Sequence, residues 1–186
     1  MRYCFPYDSI APIEIPSSHP VDVYTVQSIE AGRQEAEEIV AASLANPIGM
    51  PRLSQLVHTG SRVLILVDDI SRPTPAHQIL PAVLGELGRG GASDANIRFL
   101  IALGTHRSMT DQEIAAKIGV LQANRFQVLN HEWYNPALLH SYGRLDDGTE
   151  VLLNHALHEA DVVIGVGSIA PHPAAGFSGG GKIIAP

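Results

Sequence analysis

The sequence predicts an α/β protein: a mostly parallel, Rossmann-like sheet with flanking helices, plus a β-rich N-terminal segment and a small hairpin. Three observations carry that prediction. Apolar runs such as Val63-Leu-Ile-Leu-Val67 and the stretch Ile97–Leu103 have the character of strands buried on both faces. Helix-start signals and helical spacing fall between those runs, and alternation of strand and helix implies parallel pairing. Finally, loops of unusual chemistry follow directly on the strands, where sheets of this class bind ligands.

Each element has its own reason. Residues 1–27 hold short apolar pieces broken by prolines (Tyr3–Phe5, Ile13–Ile15, Val21–Val26), which suits extended or edge segments because proline cannot donate to a central ladder. The spacing of Ile29, Ala36, Ile39, Val40 and Leu44 predicts an amphipathic helix stopped near Asn46-Pro47, and Arg52–Val57 a second, short one. After the Val63–Val67 strand and its loop Asp68–Thr74, a helix is expected to Leu87, with Thr74 as N-cap, Pro75 at the first helical position and an irregularity at Pro81. The strand Ile97–Leu103 leads into Gly104–Met109, and Thr110-Asp-Gln-Glu113 is a capping box opening the next helix. Phe126–Leu129 is a third strand. Tyr142–Leu145 and Val151–Leu153 read as a hairpin turning at Asp146-Asp-Gly148, Asn154–Glu159 as a short helix, and Asp161–Val166 as a further buried strand.

Composition narrows the function. A chain of 186 residues, 45% hydrophobic and 17% charged, can bury one real core. A net charge of −7 with scattered basic residues argues against nucleic acid or an anionic membrane as partner. The single Cys4 excludes an internal disulfide or a cysteine-based metal cluster, and no apolar run reaches the roughly 20 residues of a membrane span. Without a signal-peptide pattern at Met1–Asp8, a cytoplasmic location is expected.

The strand-end loops predict one cleft lined by Asp69, Ser71, Arg72, His106, Arg107, His172 and Lys182. Arg72 can bind a carboxylate or phosphate through a bidentate fork, or pair with Asp68 or Asp69 for structure alone. Two imidazoles flanking one carbon, His106 and His172, could exchange donor and acceptor roles as a racemase requires, although a loop histidine also serves to satisfy a turn. His155 and His158 are more simply helix-end residues than a metal pair. The segment Ser168–Lys182 ends in three glycines and one of only two lysines. Ser178, Gly179, Gly180 and Gly181 give it a backbone suited to close approach by an anion. Gly176–Lys182 matches seven positions of a P-loop, but Ile183 stands where Ser or Thr should ligate magnesium.

Taken together, the three loops resemble the lactate racemase family, the nickel-pincer-dependent 2-hydroxyacid racemases and epimerases. Asp69-Ile-Ser-Arg-Pro73 is similar to that family's D-x-[TS]-R-P motif, and Gly104-Thr-His-Arg107 with Met109-Thr110 to its G-T-H-R-x-M-[TS] motif. Pro171-His172 and Ala175–Lys182 are similar to its signature loop, so that the likeness runs from about Leu64 to Pro186 and more loosely upstream. The resemblance implies a pyridinium mononucleotide whose two thio-acyl groups hold nickel in a pincer, joined covalently to Lys182. It implies that Asp69, Ser71, Arg72, Ser178, Gly179, Gly180 and Gly181 hold this cofactor. His106 and His172 would be the acid/base pair for a 2-hydroxy acid whose α-hydride visits the cofactor. The family's protein ligand to nickel lies downstream of the lysine, so no residue up to Pro186 is assigned to the metal. Residues 1–186 are accordingly expected to form a truncated N-terminal domain, itself inactive, whose C-terminal partner domain is missing. The identity of the hydroxy acid and the oligomeric state stay open, and a non-catalytic nucleotide- or phosphometabolite-binding domain is the alternative.

Overall fold

A computed structural model describes residues 1–4, 11–22, 36–173 and 175–185. The chain divides into two units, Met1–Arg33 and Gln34–Pro186. In the first, β1 (Arg2–Tyr3) pairs antiparallel with β2 (Ile13–Glu14), and the Met1 amino group donates to the Ile15 carbonyl at 2.7 Å. These are the first two expected extended pieces; Phe5 and the stretch from 23 to 26 lie outside the described residues.

In the second unit the chain forms α1 (Ala36–Ala45) and α2 (Leu53–Leu56), the predicted start of α1 before residue 36 lying outside the described residues. Then come β3 (Val63–Asp68), α3 (Ala76–Arg89), β4 (Ile97–Ala102), α4 (Asp111–Ile118), α5 (Val120–Arg125) and β5 (Gln127–Asn130). A hairpin of β6 (Leu139–Arg144) and β7 (Glu150–Asn154) leads to α6 (His155–Glu159) and β8 (Val162–Val166). The parallel sheet has the order β5-β4-β3-β8. The chain therefore steps outward from β3 through β4 to β5, then returns to the other side of β3. The reversal falls between β3 and β8. In open α/β sheets a crevice forms at such a switch point, beyond the carboxyl ends of the two strands.

Alternation along β3 explains its unbroken apolar run. Val63, Ile65 and Val67 face one side, where they meet Phe99 and Ile101 of β4, Leu80, Val83 and Leu87 of α3, and Ile114 and Ile118 of α4. Leu64 and Leu66 face the other side with Leu100, Ala156 and, beyond β8, Ile183. Each such side chain removed from water contributes about 1.5–3 kcal/mol, so the double-sided burial of β3 makes it the sheet's anchor. The predicted capping box at α4 is present: Thr110 Oγ1 accepts from the Glu113 amide at 3.3 Å and Glu113 Oε2 from the Thr110 amide at 2.9 Å. Helix α3 continues through Pro81.

Two expectations are corrected. The sequence reads Asp161–Val166 as a further buried strand, but β8 pairs only with β3 among the described residues, and Val163 is 38% exposed. Its edge position is a property of strand order, which an apolar run does not reveal. Thr74 does not cap α3 with its side chain; Pro75 occupies the cap position, and the Thr74 hydroxyl is held instead by Asp68 and Ser168. Among the described residues no helix is long and apolar enough to cross a membrane.

Candidate functional site

At the switch point lies a cavity of about 570 Å³. The loops after β3, β4 and β8 line it with Asp68, Asp69, Arg72, Gly104, Thr105, His106, Ser168, His172, Ser178, Gly179 and Lys182. Leu66 and Leu100 form part of its apolar floor. Of the residues singled out in the sequence, Asp69, Arg72, His106, His172, Ser178, Gly179 and Lys182 are thus brought together. Ser71, Gly180 and Gly181 do not line the cavity, and Ser71 acts on it only through Asp69. Arg107 is a correction. Its guanidinium turns away to Glu113 at 2.5 Å, because the carboxylate exposed by the α4 capping box is the nearer partner.

Beneath the cavity the two adjacent aspartates perform different tasks. Asp69 is buried, and its Oδ1 accepts from the Ser71 amide at 2.7 Å and the Ser71 hydroxyl at 2.5 Å. Its Oδ2 is 2.5 Å from His106 Nδ1. With the carboxylate accepting, His106 Nδ1 carries a proton and Nε2 is the nitrogen left for other contacts. Burial by itself would raise the Asp69 carboxyl, but hydrogen bonds from Ser71 and His106 outweigh it and hold the group below the ordinary aspartate value. Asp69 is therefore an anion that orients His106.

Asp68 instead joins two loops. Its Oδ2 accepts from the Thr74 hydroxyl at 2.5 Å and from the Ser168 amide at 3.3 Å, while Thr74 and Ser168 share a further hydroxyl contact at 2.5 Å. Its Oδ1 lies 2.7 Å from the ammonium of Lys117, an ion-pair distance without the alignment of a hydrogen bond. Lys117 is buried, and it also donates to the Arg72 carbonyl at 2.9 Å. One ammonium from α4 thus fixes both the Asp68–Thr74 loop and, through Asp68, the start of the loop after β8.

That last loop folds back on itself through β9 (Pro171–His172) and β10 (Gly176–Phe177), an antiparallel pair in which His172 faces Gly176 in register. The Ala175 amide donates to His172 Nδ1 at 3.2 Å. Nδ1 is consequently an acceptor, and a neutral His172 carries its proton on Nε2. Ser178 stitches the arms: its hydroxyl donates to the Ser168 carbonyl and accepts from the Ala170 amide, both at 2.9 Å. Gly179 has φ of +74°, and a Cβ there would stand 3.1 Å from the Ser168 carbonyl, so only glycine fits the approach. The chain then makes a single 3-10 turn, Gly180–Ile183, and Ile183 seats against Gly165 and Gly167. The nine residues between β8 and Gly176, and the apolar seat of Ile183, separate this loop from a phosphate-binding P-loop.

The charge pattern singles out two side chains. Among the described residues, every arginine and lysine except Arg72 and Lys182 forms an ion pair with a carboxylate. The two exceptions line the same cavity. The carboxylates closest to Arg72 in the chain, Asp68 and Asp69, which line the same cavity, are already committed to Lys117, Thr74, Ser71 and His106. The arrangement places these two cations with His106 and His172 in the lining of one concave space, suited to an anionic ligand and to proton exchange.

The remaining wall carries no sequence motif. His131 and Trp133, directly after β5, and Glu150–Asn154 of β7 complete the lining. The signal was available: the loop after β5 is a further strand end, but it carries no motif. His155 pairs with Glu159 at 3.6 Å and His158 stacks on His140 with ring centroids 3.9 Å apart. Among the described residues, no cluster of His, Cys, Asp or Glu could hold a metal ion.

The chain has relatives among known proteins. A family model described as the lactate racemase N-terminal domain matches residues 7–186. Lactate racemase of Thermoanaerobacterium thermosaccharolyticum is 39% identical over 150 residues, and that of Lactiplantibacillus plantarum 37%. Both matches cover 81% of this chain and 35% of the relative, so the chain spans about a third of the curated relatives it matches. The solved lactate racemase apoprotein of T. thermosaccharolyticum superposes with a TM-score of 0.74, covering 81% of this chain and 36% of that one. A crystal structure of a Thermotoga maritima protein, 27% identical, gives 0.64 over 80% of this chain and 37% of that one.

Proposed function

The chain belongs to the lactate racemase N-terminal domain family, and from that premise we propose that it is the cofactor-binding and acid/base portion of a 2-hydroxyacid racemase or epimerase. One observation carries the reading: the two unpaired cations, Arg72 and Lys182, share a cavity with His106 and His172. The cofactor in this reading is a nickel-pincer pyridinium mononucleotide, which when bound supplies a reversible hydride acceptor. The residues present fit its organic part. An unpaired guanidinium suits its phosphate, and an unpaired ammonium on a glycine-supported turn suits covalent attachment. For the metal they offer no cluster of their own among the described residues, and the pincer donors would carry it.

The chain's own residues then have distinct tasks. Arg72 and Lys182 hold negative charge at the cavity, and Gly179 lets the backbone pass close. Asp69 keeps His106 oriented with its proton on Nδ1, and the Ala175 amide donates to Nδ1 of His172. With Nε2 as the working nitrogen on both rings, one imidazole can take the substrate hydroxyl proton while the other returns one, and the roles reverse with the direction of reaction. The second domain, and the activity of the whole enzyme, belong to this proposal. The test is an intact mass spectrum after co-expression with cofactor-synthesis enzymes, beside Lys182→Ala. A mass increment present in the parent and lost in the variant is the expected result. The same unmodified mass in both, for a protein extended beyond Pro186, would overturn covalent loading.

A further inference from the structure

We propose that the wall formed by Trp133 and His131 is a ring-binding surface, so that the cavity takes a planar, electron-poor ring joined to an anionic group. The inference rests on the reading of this cavity as the cofactor site, and assigns within it the residues that hold the ring. Trp133 is the sole tryptophan of the chain, and it lines the cavity while 51% exposed. Its ring meets Tyr134 edge-on, with centroids 5.9 Å apart and planes at 87°. A large aromatic braced at one side and bare over half its surface offers contact area at little cost in side-chain freedom, and an indole face attracts positive or electron-poor rings.

His131 supplies polarity beside it, and its tautomer follows from a chain of contacts. Asn154 caps α6 by accepting the Ala156 amide on Oδ1 at 3.0 Å, so its amide nitrogen is the group directed at His131 Nδ1, 3.1 Å away. An amide nitrogen only donates, hence Nδ1 accepts and the neutral ring carries its proton on Nε2. Burial lowers the His131 pKa, in the same direction. The cavity therefore combines an indole surface, one neutral N–H donor and the cations Arg72 and Lys182. A bare phosphate would use only the cations. A ring with a carbonyl or carboxylate substituent and a phosphorylated tail uses all of them.

Because Trp133 is unique, its fluorescence reports this wall alone. The 186-residue chain is titrated with nicotinic acid mononucleotide, a pyridinium ring on a sugar phosphate, and with ribose 5-phosphate, which lacks the ring; calorimetry runs in parallel. Saturable quenching by the ring compound is expected, with an affinity about tenfold above that of ribose 5-phosphate, the scale of one desolvated ring contact. Trp133→Leu should erase that advantage and leave ribose 5-phosphate unaffected, whereas Trp133→Phe should retain most of it. Arg72→Ala should weaken both probes alike. If the ring compound binds in an Arg72-dependent way but Trp133→Leu binds it as well as the parent, the ring surface is overturned and the cofactor-site reading stands. If calorimetry detects neither probe, both fall.

Discussion

Two charged clusters in the second unit make a useful comparison. Around Glu86 of α3, one fully buried carboxylate accepts from Ser54 Oγ at 2.7 Å, Arg52 Nε at 3.1 Å and Arg89 Nε at 2.8 Å, with a second close contact to Arg89 Nη2. Every group there has its complement on the same unit. At the cavity the balance is deliberately the other way: the carboxylates are consumed by local partners, and Arg72 and Lys182 are left over. Complete compensation ties α2 to α3 and has nothing to offer a ligand. Incomplete compensation gives no structural return, and it makes sense where a further charge is meant to arrive.

The strongest way to break this comparison is at the imidazoles. Under the proposed function, His106→Ala or His172→Ala should lower kcat for racemisation by about 10²–10⁴-fold, the usual contribution of a positioned acid or base. Chiral chromatography of the hydroxy acid would measure it, and an unchanged rate would remove the residue from the chemistry. Next comes the buried pair. Lys117→Met leaves Asp68 uncompensated and should cost about 3–5 kcal/mol in urea denaturation, with part of the loss recovered in Lys117→Met/Asp68→Asn.

The Glu86 cluster makes a smaller, pH-dependent prediction. Hydrogen bonds from Ser54 and Arg89, and then Arg52, hold its pKa at about 2 against an ordinary 4.5. A carboxyl with a lower pKa in the folded state takes its proton more readily when unfolded. Its stabilisation is thus full above about 4.5 and is lost as pH falls toward 2. Thermal melts across that range should show a slope that Glu86→Gln reduces; an unaltered slope would exclude Glu86 as its source. Last and smallest, Arg72→Ala and Lys182→Ala should each change stability by no more than about 0.5 kcal/mol, since neither breaks a pair. A large loss in either would mean that its charge is structural after all.

Much of this was legible in the sequence, for identifiable reasons. The runs Val63–Val67 and Ile97–Leu103 state their own burial, and the loops after them must lie at one end of a parallel sheet; Asp69, Arg72, His106, His172 and Lys182 meet for that reason. What could not be read depends on neighbours remote in the chain. Thr74 has the look of a cap, yet its hydroxyl goes to Asp68 and Ser168. Arg107 sits in a conspicuous motif but is drawn to Glu113, six residues on. Lys117 occupies an ordinary helix position, and only folding brings Asp68 to it. The wall of Trp133 and His131 belongs to a loop without a motif, and its place becomes visible only when β5 takes its position in the strand order.

Ile183 occupies the position that a phosphate-binding loop would give to a hydroxyl, and it fastens the Lys182 turn to the sheet by nestling against Gly165 and Gly167, at distances where an added methyl would stand 3.2 and 3.3 Å from it. That grip is apolar. Salt, which screens charge pairs, leaves it intact. Cooling weakens it instead, because apolar contact loses its driving force at low temperature. The loop that presents the lysine should therefore loosen with cold and be indifferent to ionic strength, the reverse of what its glycines and its cation suggest at first sight.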